Sequence, residues 1–328
     1  MINGNLQLAE EQLPLLMEQA EASGEVAWMV AVHHVAGVSA EFRGDVVESH
    51  RLLEHGRELH TPEEHERYTA MFGIDPGMIA RCMSSRPMWS LGYPDQALER
   101  ARETVELGRS QRQPTTLVFA LVVQQGIHLY RGEAEEALAL GEEILALCAE
   151  YGLAHEGHWS KSFSGGALAI SDREDEGAAL LQEALDALSR LRSGLVRPTF
   201  MALLGEAHAR AGRIEQGLAA VQEGFDHAER TTERGFTAEL HRVRGRLLAL
   251  GGDREGAVAS LRAALARARE QEARSFEIRA ATDLARLLHE DGRDAEALAE
   301  LEPVYDWFTE GFDTADLMAA RILLDRIR

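Results

Sequence analysis

Two cysteines, Cys82 and Cys148, are all that this 328-residue chain has, so neither a disulfide framework nor a Cys-rich metal centre can be built from it. A reducing, cytoplasmic setting is the expectation that follows. Basic side chains are scarce as well: 34 Lys and Arg stand against 55 Asp and Glu, a net charge of −21 with histidine neutral. That balance repels a phosphate backbone, and nucleic acid is excluded as an expected partner. No Lys or Arg precedes Arg43, so the basic start of an ordinary secretory signal is missing. Long apolar runs are absent too. The longest, Val26 to Val32, falls far short of the roughly 20 residues that cross a bilayer, and no membrane partner is expected. β-Branched residues are sparse and scattered, which leaves no strand signal. Hydrophobic residues at 45% are still enough for a real core, so the acidic composition does not describe a disordered tail.

What the chain does have is a repeat. A small or polar residue is followed five places later by Ala or Gly at Gly92 and Ala97, Gly132 and Ala137, Asp172 and Gly177, Gly212 and Gly217, Gly252 and Ala257, and Gly292 and Ala297. The step between neighbouring pairs is 40 residues five times over, and an earlier turn at Gly44 lies 48 before Gly92. Seven residues ahead of each turn stands a second, mostly small residue: Gly37, Ser85, Gln125, Gly165, Gly205, Gly245 and Ala285, with Gln125 the exception. Small residues on both sides of a tight turn let two antiparallel helices approach closely. The flanking segments have helical period. From Ala257 to Ala268, Val258, Leu261 and Leu265 recur at steps of three and four with Arg262 and Arg267 between them. Ala, Leu, Glu and Arg, all good helix formers, dominate throughout.

Seven helical hairpins stacked in order form an α-solenoid, or superhelix. The eight extra residues of the first step fall between Leu59 and Gly77, where Thr61-Pro62-Glu63-Glu64 starts a helix and Asp75-Pro76-Gly77 breaks one. Residues 6–22 form one unpaired leading helix and 314–327 a closing helix, with Trp307, Phe308 and Phe312 packed beneath it. The whole of 1–328 is expected to be one elongated domain.

No constellation commits the chain to catalysis, and no catalytic residue, metal ligand or cofactor is assigned. His33, His34, His50, His55, His60 and His65 crowd the first quarter. Steps of five residues turn about 500° around a helix, which points successive histidines apart rather than at one ion. His155-Glu156-Gly157-His158 is not the zinc motif His-Glu-x-x-His. Ser162-Phe163-Ser164-Gly165-Gly166 lacks the nucleophile elbow and falls within a helix. Cys82 reads as a small core residue.

The Gly and Ala hairpin signature resembles the tetratricopeptide repeat (TPR) family, with longer helices than its usual unit of about 34 residues. The stretches Leu91-Gly92-Tyr93-Pro94-Asp95-Gln96-Ala97-Leu98, Ala238-Glu239-Leu240-His241-Arg242 and Trp307 to Leu317 are similar to the C-terminal TPR region of bacterial predicted-ATPase and adenylate-cyclase fusion regulators. The resemblance implies a sensory or regulatory helical array. No Gly-x-x-x-x-Gly-Lys-Ser/Thr loop occurs, so ATP hydrolysis by that route is not expected, and the chain is either free-standing or one segment of such a regulator.

In that family, the resemblance further implies, positions thirteen, ten and six before each turn line the concave groove. Here they read Ala31, His34, Val38; Ile79, Cys82, Arg86; Phe119, Val122, Gly126; Trp159, Ser162, Gly166; and, in the last two repeats, Glu239, Arg242, Arg246 and Arg279, Thr282, Arg286, with Arg210 nearby. The expected ligand-binding groove is therefore Phe119, Trp159, Arg210, Glu239, Arg242, Arg246, Arg279 and Arg286, apolar in the middle and Arg-rich towards the C-terminal end. Exposed helical Arg commonly pairs with Glu, and Glu206, Glu239 and Glu277 are the expected internal partners. The sharper alternative is an acidic group on a partner, which a guanidinium fork suits. These features point to a signalling or regulatory module binding a protein or peptide. A small-molecule sensor is the second expectation and an enzyme on the same scaffold the third.

Overall fold

The protein, a computed structural model describing residues 6–111 and 113–328, is helical throughout, with no strand among the described residues. After α1 (Leu6–Ser23) come seven hairpins: α2 (Val26–Arg43) with α3 (Val46–Leu59), α5 and α6 (Pro76–Met83, Ser85–Ser90) with α7 (Pro94–Gln111), α8 (Pro114–Arg131) with α9 (Ala134–Tyr151), α10 (Ala154–Ile170) with α11 (Glu174–Arg190), α12 (Arg197–Arg210) with α13 (Ile214–Thr231), α14 (Thr237–Leu250) with α15 (Arg254–Glu270), and α16 (Arg274–Glu290) with α17 (Asp294–Tyr305). The closing helix is α18 (Ala315–Ile327). Between α3 and α5 the extra residues form a 3-10 turn, Pro62–Glu64, and α4 (His65–Phe72), as the two break signals anticipate.

The repeat positions do the packing that their size allows. Each turn residue ends its first helix in the left-handed region, which glycine enters freely and Asp172, at φ 57°, enters with the tolerance of a short polar side chain. Five places on, Ala97, Ala137, Ala257 and Ala297 are completely buried. At the other small position, a Cβ added to Gly205 would stand 2.8 Å from Val221 Cγ2, and one added to Gly165 would stand 2.8 Å from the Gly177 carbonyl oxygen. Gln125 fits by a different route. Its buried amide donates from Nε2 to the Ala137 carbonyl at 3.0 Å, to Ser164 Oγ at 3.0 Å and to the Ser160 carbonyl at 3.3 Å. Gly141 opposite leaves the room, since a Cβ there would lie 2.8 Å from that nitrogen.

The first helix of the second hairpin is interrupted at Ser84. The Ser84 and Ser85 hydroxyls donate back to the carbonyls of Arg81 and Cys82, and Pro87 withdraws an amide from the helical ladder.

The superhelix is not elongated, and this corrects the expectation from sequence. Its ends meet, bringing hairpins 1 to 3 against hairpins 5 to 7 and the C-terminal segment. The Gly235 amide donates to the Phe42 carbonyl at 2.9 Å, and Ser275 Oγ donates to the Trp89 carbonyl at 2.5 Å. The amides of Asp95 and Gln96 donate to Glu310 Oε1 at 2.9 and 3.2 Å, and Gly311 returns an amide to Asp95 Oδ2 at 2.9 Å. Arg131 bridges Asp95 and Asp313 across the same seam. The accessible surface, 13,989 Å² for 36.2 kDa, is close to the roughly 13,400 Å² of a compact monomer of that mass. Closure also redistributes the aromatic cluster expected under α18. Phe308 is buried there, but Trp307 crosses the seam to Tyr93, with ring centroids 5.8 Å apart, and lies under the Arg274 guanidinium, while Phe312 is exposed.

Candidate functional site

Because the first helices line the inside of a closed superhelix, their stripe bounds an interior. A six-ring partition divides it: Trp89 and Tyr130 at 4.8 Å between centroids, Tyr130 and Phe163 at 6.2 Å, Phe163 and Phe200 at 5.4 Å, Tyr130 and Phe236 at 5.8 Å, and Phe236 and Phe276 at 5.0 Å. On the N-terminal side is an apolar chamber of about 410 Å³, and on the C-terminal side a charged one of about 390 Å³. Phe119 and Trp159 line the first. Arg210, Glu239, Arg242, Arg246, Arg279 and Arg286 line the second. The eight expected groove residues therefore do not share one surface.

Phe119 and Trp159 stand 6.1 Å apart on neighbouring first helices, with His155 against the indole at 4.8 Å. Val38, Ile79, Val122 and Phe163 complete much of the wall. His34 also faces this space, and burial pushes its pKa down to about 4, so it is neutral at physiological pH. One cation lines the floor, Arg86. Burial works against its charge, but Glu41, whose Oε1 accepts from Arg86 Nε at 2.5 Å, more than offsets this. Cys82 is buried beside them with its thiol pushed up by desolvation, which makes it inert as a nucleophile.

In the charged chamber the arginines are already engaged. Arg242 donates to Glu239 at 2.8 and 2.9 Å, to Asp283 at 2.6 Å and to Glu206 at 3.2 Å. Arg246 and Arg210 both hold Glu206, and Arg286 holds Asp283. Arg279 donates to Asp316 at 2.7 Å and to the Tyr130 carbonyl across the seam at 2.7 Å, and it stacks over Trp89. Five guanidinium groups thus face four carboxylates. Burial raises the Glu206 carboxyl in isolation, but Arg246, Arg242 and Arg210 together hold it far below the ordinary carboxylate range. Of the three partners expected from sequence, Glu206 and Glu239 are in the network. Glu277 is not: it pairs with Arg269 and Arg274 outside. Asp283 and Asp316 take its place.

Two further buried groups escaped sequence reasoning. The histidines do not gather at one point, but His60 and His65 meet on Asp75, at 3.0 and 2.8 Å. That carboxylate also caps α5 by accepting from the amides of Gly77 and Met78. Burial raises Asp75, and the two imidazoles and the cap outweigh it and hold its pKa low. The arrangement ties the insertion to the second hairpin. Among the described residues, no group of three or more His, Cys, Asp or Glu could hold a metal ion.

Glu233 is the opposite case. Its Oε1 accepts the Val196 amide at 2.8 Å, its Oε2 has no hydrogen bond among the described residues and lies 3.7 Å from His227 Nε2, and burial pushes its pKa up to about 8. A glutamate ionises near 4.3 when unfolded, so between about pH 4.3 and 8 the folded state holds a proton that the unfolded state has released. Stability is therefore full below the lower value and falls as pH rises towards the upper. Glu233→Gln, which keeps the acceptor for Val196, should gain several kcal/mol at pH 8, at about 1.4 kcal/mol per pH unit between the two values, and nothing at pH 4. Urea unfolding at the two pH values measures this.

No protein-family model matches the sequence, and no curated protein matches it. Solved structures do. A Rap protein complexed with competence and sporulation factor superposes with a TM-score of 0.62 at 13% identity, over 92% of this chain and 80% of that one. Aspartyl phosphate phosphatase F from Bacillus subtilis gives 0.53 at 11% identity, over 90% and 74%, and the apo form of RapI gives 0.52 at 14%, over 90% and 99%. No helix among the described residues is long and apolar enough to cross a membrane. What the chain shares with these proteins is the fold, and that fold is a tetratricopeptide-like α-solenoid, here with its two ends in contact.

Proposed function

We propose that this chain is a non-catalytic binding and regulatory module, cytoplasmic, that takes a protein or peptide segment into the interior of its superhelix. The observation that carries the reading is the interior itself. Successive first helices present one stripe, and closure turns it into adjoining apolar and charged chambers of about 410 and 390 Å³. An extended segment can seat apolar side chains in one and place polar groups in the other. An acidic group on the partner would meet Arg210 and Arg286, whose side chains are 36% and 46% exposed and which hold a single carboxylate each. The one guanidinium in excess of the four carboxylates supports that placement. Support also comes from the Rap structure solved as a complex with a factor. A small-molecule sensor stays the second reading, and the phosphatase name of another fold relative keeps an enzyme as the third. The resemblance to predicted-ATPase and cyclase fusion regulators adds that binding would be signalled to a nucleotide-handling partner domain.

A random peptide library selected on the whole chain tests this. Enriched peptides should tolerate Trp159→Ala with a loss of about tenfold or less, since contacts spread over several hairpins. Peptides with acidic residues should also weaken with salt and with Arg286→Ala. Enrichment of nothing, or of peptides indifferent to both variants, would overturn the proposal.

A further inference from the structure

The floor of the apolar chamber holds donors that the fold leaves unused. Tyr130 is 4% exposed, and its hydroxyl has no hydrogen-bond partner among the described residues. Arg86, 8% exposed, lines the same space, and Nε is its one nitrogen with a hydrogen bond among the described residues. On the side wall, Trp159 Nε1 is likewise buried without an acceptor. Unpaired buried donors are costly and rare in folded proteins, and here two, the Tyr130 hydroxyl and the Trp159 indole, belong to side chains that, with Arg86, line one cavity whose other walls are largely aliphatic and aromatic. The missing group is an acceptor.

Charge decides what kind of acceptor. Arg86 is already neutralised by Glu41 behind it, and His34 is uncharged at neutral pH. A carboxylate entering here would leave one uncompensated negative charge in an apolar space, which costs several kcal/mol in desolvation. A carbonyl oxygen accepts the same hydrogen bonds at no such cost. The volume of 410 Å³ corresponds to roughly fourteen waters at about 30 Å³ each, room for a molecule of about a dozen non-hydrogen atoms.

We infer that the N-terminal chamber is a binding site for a small, uncharged, apolar molecule with one carbonyl-type acceptor, seated with that oxygen towards Tyr130 and Arg86. The inference goes beyond the module reading and does not depend on it: an effector site of this kind can stand without a peptide partner, and with one the two would compete for this chamber.

Octanamide and octanoate, matched in size and differing in charge, are the probes. Titration calorimetry on the whole chain at pH 7 should show octanamide binding at least about tenfold tighter than octanoate. Tyr130→Phe should weaken octanamide about three- to tenfold, the share of one hydrogen bond. Because the hydroxyl it removes is unpaired in the free protein, Tyr130→Phe should leave the melting temperature unchanged or raise it, so a weaker affinity cannot be ascribed to lost folding. Equal or tighter binding of octanoate would overturn the uncharged-ligand assignment. No heat from either probe, with no change in tryptophan emission at millimolar concentration, would overturn the site. Neither outcome touches the peptide-selection result, which fails or succeeds separately.

Discussion

Glu206→Gln should destabilise the protein by about 3 to 5 kcal/mol, the range for removing one partner from a buried ionic network. Glu206 is 8% exposed and holds Arg210, Arg242 and Arg246 together. Without its charge, five guanidinium groups would face three carboxylates, with Arg242 buried among them. The folded pKa lies below the unfolded one, so this contribution is present above about pH 4.3 and is lost as pH falls through the folded value. Wild type and variant should accordingly converge in strong acid. Chemical denaturation at pH 7 gives the magnitude, and adding Arg246→Met to the variant should recover part of it, as coupled neighbours do. Replacing Arg242 and Arg286 together by Ala should also lower the melting temperature. A loss under about 0.5 kcal/mol for Glu206→Gln would mean that the network is solvated like ordinary surface pairs.

The second large effect concerns closure. Gly92 sits at φ 95°, and a Cβ there would stand 2.5 Å from Trp307 Cζ3 across the seam. Gly92→Val combines a strained backbone, about 1 to 3 kcal/mol, with overpacking of a closed interface, about 1 to 3 more. Gly212→Val carries the first part alone, because Gly212 has the same left-handed backbone, at φ 68°, with nothing within 4 Å, so the difference between the two variants isolates the second. Wild type and Gly212→Val should both scatter as compact particles with a radius of gyration of about 20 Å. Gly92→Val should be less stable than Gly212→Val and larger in solution. Equal stability and equal radii for the two variants would show that the seam contributes nothing.

The architecture was legible because its signals are local. A turn residue, a small residue five places on and a helical period recur in each unit, and every one reports on neighbours within a single hairpin. Closure was not legible. The Asp95 and Gln96 amides reach Glu310 across 215 and 214 residues of chain, and nothing periodic marks such a pair. The stripe itself carried over from sequence to interior, but its division did not. The partition hinges on Tyr130, two residues before a turn and outside the stripe. Likewise Asp283, three residues before Arg286, and Asp316, on the closing helix, could not be seen as the partners of the arginines, since each depends on how successive hairpins rotate. Glu41 and Arg86 lie 45 residues apart and pair for the same reason.

The claim on which the rest depends is that partners bind inside the closed superhelix, and photo-crosslinking tests it most directly. A library-selected peptide carrying benzoylphenylalanine in place of one apolar residue would be irradiated on the whole chain and the adducts located by mass spectrometry. The account predicts adducts on the first helices at chamber-lining positions such as Phe119, Val122 and Leu203. Adducts confined to exposed residues of the second helices, such as Glu142 on α9, would contradict it.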